Sequence, residues 1–131
     1  MAALDTNVVI RLLVGDDAAQ ARAAEQLVSS EPCSVAMSVL MECEWVLRAS
    51  YGLKPADIDA ALRAFLSLEN ISASDPMLAQ RVLDAYAKGF DFADALHAAQ
   101  CPEGERFMTF DKKPVDRAAK AGLRGVARLT V

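Results

Sequence analysis

Apolar residues in this chain come in two spacings that alternate from end to end, and the alternation limits the folds open to it. Short continuous runs end at Leu4, cover Cys33–Met37, Arg106–Phe110 and Val126–Val131, and touch briefly on Asn70–Ser72. Between them lie longer segments whose apolar residues recur every three or four positions, the spacing of one helical face. Short strands separated by amphipathic helices imply a parallel sheet with helices on both faces. The expected fold is therefore α/β, a three-layer α/β/α sandwich around a short parallel sheet. No repeat, low-complexity segment or linker interrupts residues 1–131, so a single domain is expected.

The signals at the helix ends are specific. An apolar start runs into Asp5, Thr6 and Asn7 interrupt it, and Val8, Val9, Leu12 and Leu13 begin a helix that Gly15 stops. Asp17 and Gln20 have the spacing of a capping box for a helix reaching about Ser30, before the break at Glu31-Pro32. Ser38 is expected to cap a helix with the stripe Val39, Cys43, Val46 and Leu47, ending near Tyr51-Gly52. Pro55 suits the first turn of the next helix, with Ile58, Leu62, Phe65 and Leu66 inward. Asp75-Pro76 opens a helix through Val82, Leu83 and Tyr86 to Gly89. Another starts around Asp91 and runs to Cys101-Pro102, and Pro114 is expected to open the last, which Gly122 closes.

Composition narrows the function. The three cysteines, Cys33, Cys43 and Cys101, show neither disulfide pairing nor zinc-ligand spacing. Nothing resembles a membrane span or a secretory leader, so a cytoplasmic protein with no membrane partner is expected. A formal charge of −4 argues against a general nucleic-acid binder. It leaves room for an enzyme on nucleic acid whose acids gather around a metal.

Candidates for that role follow from the topology. Asp5 and Asp111 each follow a short strand, and in parallel sheets ligands bind outside the carboxyl ends of the strands. Glu42 and Asp94 lie one turn into helices that start at the same edge. Four carboxylates sharing a cleft raise one another's pKa unless a cation offsets them. Oxygen donors suit Mg2+ or Mn2+, which can activate water and neutralise a phosphoryl oxygen. Each acid also has a purely structural alternative: Asp5 and Asp91 as caps, Glu42 and Asp94 as first-turn acids, Asp111 as the start of a turn. Glu44 has Arg48 four residues on and reads as a solvated ion pair. His97 has no second histidine and reads as a satisfied or partly exposed side chain. Trp45 reads as core or interface rather than a stacking platform. Arg11, Lys112 and Lys113 are the cations nearest in sequence and could contact a phosphate backbone.

These residues together resemble a known family. Leu4-Asp5-Thr6-Asn7 followed by an apolar helix looks like the opening of PIN-domain proteins. Ser38-x-x-x-Glu42, with Trp45-Val46-Leu47-Arg48 and Tyr51-Gly52-Leu53, resembles the second motif of a VapC-like branch. Phe92-Ala93-Asp94-Ala95-Leu96 resembles the third, and Thr109-Phe110-Asp111 the fourth. The resemblance implies strand order 3-2-1-4-5 and a Mg2+- or Mn2+-dependent endoribonuclease, the toxin of a type II toxin–antitoxin pair. By it, Asp5, Glu42, Asp94 and Asp111 are metal ligands, and Thr6, Asn7 and Ser38 are supporting polar groups. It further implies an RNA substrate, a homodimer and a cognate antitoxin protein. His97 departs from the pattern, which usually has an aliphatic residue there.

Three alternatives compete. A dehalogenase-type phosphatase needs a second acid where Asn7 stands, and a receiver domain expects paired acids after the first strand. A non-catalytic interaction module could keep the same fold and bind a partner protein.

Overall fold

A computed structural model describes residues 1–131. The chain divides into two compact units, Met1–Pro76 and Met77–Val131. Both are α/β with parallel strands, as expected.

The first unit is organised on β2 (Cys33–Val35), which pairs in parallel with β1 (Ala2–Ala3) on one side and β3 (Ile71–Ala73) on the other. Cys33 and Val35 are fully buried, which explains why so short a run is wholly apolar at those positions. Helix α1 (Thr6–Val14) follows β1, and Gly15 ends it in the left-handed conformation, its N–H donating to the Arg11 carbonyl. Helix α2 (Ala18–Ser30) begins with half of the expected box. Asp17 accepts from the Gln20 amide at 3.1 Å, but the Gln20 side chain turns to Arg11 instead.

Helix α3 (Met37–Ala49) starts earlier than expected. Ala36, not Ser38, holds the cap position, and no side chain caps it. Burial of Met37 draws that residue out of the strand and into the first turn. The inward face also differs, being Leu40, Cys43, Glu44 and Leu47, while Val39 and Val46 are half-exposed. Glu44 is therefore a buried acid rather than a solvated one. It is held by Arg48, whose Nε lies 2.9 Å from Oε2. Trp45 is 56% exposed and is not a core residue. Helix α4 (Pro55–Leu66) buries Ile58, Leu62 and Phe65 as its spacing requires.

The second unit comprises α5 (Pro76–Ala87), α6 (Phe92–Ala99), β4 (Phe107–Thr109), α7 (Lys112–Ala118) and β5 (Val126–Arg128). Strands β4 and β5 pair in parallel. Gly125 fixes their approach. A β-carbon there would stand 2.9 Å from the Glu105 carbonyl oxygen, and its φ of +72° favours glycine in any case. Tyr86 meets Phe92 edge-on at 5.5 Å, and Arg81 donates to the carbonyl of Ala99, tying α5 to α6. Helix α7 begins at Lys112, so Pro114 stands inside its first turn rather than opening it. A proline is tolerated there because the first amides of a helix have no carbonyl partner. Of the expected order 3-2-1-4-5, the hydrogen-bonded pairings 3-2-1 stand in the first unit and 4-5 in the second.

One polar network closes the corner after α1. The Tyr51 hydroxyl donates to Asp16 at 2.6 Å, and Arg11 Nη1 donates to the other Asp16 oxygen at 2.8 Å. The Tyr51 hydrogen bond first, then the Arg11 charge, hold the Asp16 carboxyl below its ordinary 3.8, while the same bond raises Tyr51 above 10.0. Asp16 thus favours the fold above its unfolded value and loses that contribution as pH falls through the folded value. Tyr51 contributes below its unfolded value and stops as pH rises through the folded one. In an NMR titration, Tyr51→Phe should return Asp16 toward 3.8. An unmoved Asp16 would mean that Arg11 alone sets it.

Candidate functional site

In the first unit, Asp5 follows β1 and takes the cap position of α1 in an extended conformation, yet its side chain makes no capping bond. Its carbonyl oxygen accepts from Val8 and Val9, so the backbone does the positioning and the exposed carboxylate is left over. Thr6 beside it is buried and Asn7 exposed. Glu42 is exposed on α3. At about 100° per residue it points nearly opposite to buried Glu44. Asp5 and Glu42 act on one atom: burial pushes the Cys43 thiol up to about 12, with the Glu42 and then the Asp5 charge adding to it. Both carboxylates therefore lie near Cys43, midway along α3. Ser38 is exposed in the first turn of that helix.

In the second unit, Asp91 caps α6 by accepting from the Asp94 amide at 3.0 Å. This leaves Asp94 half-buried with its own carboxylate unused by the cap. Burial raises its pKa, as do the charges of Asp91 and Asp111, against a lowering by His97. Asp111 repeats the arrangement of Asp5. It takes the cap position of α7 with no side-chain cap, its amide donating to Thr109 Oγ1 at 3.1 Å. Asp91, Asp94 and Asp111 line a cavity of about 340 Å3 with Lys112, Lys113 and Arg117. Neither lysine belongs to any of the chain's ion pairs. Arg117 donates to the carbonyl of Gly89.

The structure thus groups Asp5 with Glu42, and Asp94 with Asp111, Lys112 and Lys113. It gives Arg11 other work, with Nε on Gln20 and Nη1 on Asp16, each at 2.8 Å. His97 is exposed and stacks on Phe107, ring centroids 6.4 Å apart. Asp91 was read from sequence only as the cap it proves to be, and Arg117 was not singled out. Arg117 could have been found, since it falls four residues after Lys113 on the same helical face. A cavity of the first unit, about 650 Å3, is walled mainly by apolar residues, among them Leu12, Leu13, Val28, Phe65 and Leu68, with Glu25 and Glu69 also on its lining.

Within neither unit do three or more Asp, Glu, His or Cys side chains stand close enough to hold a metal ion. The donor chemistry nonetheless fits a hard divalent cation. Mg2+ keeps several waters and binds through one or two carboxylates plus substrate phosphates, rather than in an all-protein cage. Burial first, and then the charges of Asp91 and Asp111, raise the pKa of Asp94, and a cation beside it would favour the ionised form.

The thiols test the surroundings of Glu42. Cys33 and Cys43 are buried and Cys101 is half-exposed. Of the three thiols, only Cys101 should react with a disulfide reagent in the native protein, and all three in denaturant. Glu42→Gln should leave Cys43 silent, because burial is the first cause of its shift. A reactive Cys43 in that native variant would mean that the Glu42 charge, not burial, protects it.

No curated protein and no solved structure matches the chain. A family model does: the PIN domain, over residues 2–121. PIN domains are generally metal-dependent nucleases. With the match running over most of its length, the chain belongs to the PIN domain family.

Proposed function

We propose that this chain is a Mg2+- or Mn2+-dependent endoribonuclease that hydrolyses RNA phosphodiester bonds, the toxin of a type II toxin–antitoxin pair. The observation that carries the nuclease reading is the cavity where Asp94 and Asp111 share walls with Lys112, Lys113 and Arg117. Carboxylates there suit a cation, and ammonium groups free of ion pairs suit the phosphates of a nucleic acid. The finer reading is supported by the four motifs around Asp5, Glu42, Asp94 and Asp111 and their resemblance to the VapC-like branch.

In this reading Asp5, Glu42, Asp94 and Asp111 hold the ion. Thr6, Asn7 and Ser38 support them with polar contacts. A bound Mg2+ or Mn2+ supplies Lewis acidity, which offsets charge on the phosphoryl oxygen and eases deprotonation of water. The side chains of the protein orient the substrate. Lys112 and Lys113 offer charge-assisted hydrogen bonds to phosphate oxygens, and Arg11 keeps only Nη2 for such a contact. Water is the nucleophile and the 3′-oxygen, protonated as it departs, the leaving group, so each cut breaks the P–O3′ bond and leaves a 5′-phosphate and a 3′-hydroxyl. The same reading includes a cytoplasmic location, inhibition by a cognate antitoxin and a homodimer in which exposed Trp45 is suited to burial. No helix is long and apolar enough to cross a membrane.

The test is cleavage of a mixed structured and single-stranded RNA pool with manganese, with magnesium and with chelator. Cleavage should require the metal, and Asp5→Asn and Asp111→Asn should each lower the rate on the order of a hundredfold or more. Ends bearing 2′,3′-cyclic phosphate would overturn the mechanism. No cleavage by folded, inhibitor-free protein, together with no manganese binding by calorimetry, would favour the interaction module.

A further inference from the structure

The residue between the end of β4 and Asp111 is Phe110, and its ring is 60% exposed. Alternation along the strand accounts for the direction. Phe107 and Thr109 are half-buried, whereas Met108 and Phe110 face out. Hydrogen bonds tie the backbone before and after the ring. Leu129 donates to the Thr109 carbonyl at 2.7 Å, Arg128 Nε to the Phe110 carbonyl at 3.3 Å, and the Asp111 amide to Thr109 Oγ1. An exposed aromatic on so constrained a backbone loses little further freedom on contact with a ligand. Two residues on begins the pair Lys112 and Lys113, both exposed and outside every ion pair of the chain. The α-carbons of Phe110 and Lys112 are at most about 7.6 Å apart, a span that one nucleotide covers from base to phosphate.

We propose that Phe110 is a base-stacking residue which, with Lys112 and Lys113, holds an unpaired nucleotide beside the cavity of Asp94 and Asp111, selecting single-stranded RNA. This rests on the nuclease reading for the identity of the substrate. Stacking needs a base whose face is free, so paired regions present nothing to the ring. The lysines take the phosphate of the same strand and carry no sequence information, so any preference between bases comes from Phe110.

The experiment measures binding of the full chain, with chelator present to prevent cleavage, to single-stranded RNA carrying 2-aminopurine, whose fluorescence falls on stacking. Wild type should quench the probe. Phe110→Ala should abolish the quench and weaken binding on the order of tenfold. Phe110→Trp should keep both, and Phe110→Leu, apolar but without a ring, should restore neither. Binding to duplex RNA should be the same in all four proteins. Lys112→Gln should keep the quench and lower the salt dependence of binding by about 0.7 in logarithmic slope. Equal quench and affinity in wild type and Phe110→Ala would overturn the proposal and leave the nuclease reading standing. A quench that depends on Phe110 in a protein that cuts no RNA would uphold the proposal and sink that reading. A change in sedimentation mass on Phe110→Ala, with RNA binding unaltered, would assign the ring to a protein contact and overturn the stacking role.

Discussion

Everything in the first unit depends on the parallel pairing of β2 on both its edges. Three residues, two of them fully buried, hold β1 and β3 in register. Parallel strands cannot be joined by a tight hairpin, so each connection must travel back through a helix. With strands of two or three residues, the turn from strand to helix falls almost at once. One residue separates the strand from the cap of the helix in each case, Leu4 before Asp5 and Phe110 before Asp111. Each carboxylate therefore stands just past a strand end without belonging to either the ladder or the core.

How far this was legible in the sequence depends on which force decided each residue. The helices were plain because their apolar spacing, prolines and glycines agree with one another. Pro55 and Ile58–Leu62–Phe65 in α4 are an instance. Asp17 and Gly15 acted as local chemistry predicts. Failures came where tertiary packing outvoted a local signal. Ser38 is a good capping residue, but burying Met37 starts α3 before it. The Glu44–Arg48 spacing correctly marked an ion pair, yet nothing local says that Glu44 turns inward while Trp45 turns out. That choice belongs to the neighbours of α3. Of the site, the acids could be named from strand ends and helix starts. The cavity shared by Asp91 and Arg117 could not, since it arises from the way α6 and α7 come together.

The two carboxylate groups differ in a way that matters for chemistry. Asp5 and Glu42 are exposed and act jointly on a buried thiol, so their charge is felt inside the first unit. Asp94 is half-buried among other acids, and cations line the same cavity. Under the proposed function, a pocket of mixed sign would attract a phosphodiester and a divalent ion together, each offsetting the charge that repels the other. The formal charge of −4 describes the whole chain and not the field of one cavity.

Asp5 and Asp111 stand at helix caps whose side chains do not cap. A serine or aspartate that did cap would add about 1 kcal/mol to the helix, and here that contribution is forgone. The fold consequently has no stake in either carboxylate. A chain that lost one would still fold, still present the same surfaces, and still occupy whatever those surfaces bind. Inactivity and absence would then be different phenotypes: the silent chain remains in the mixture as a competitor of the active one.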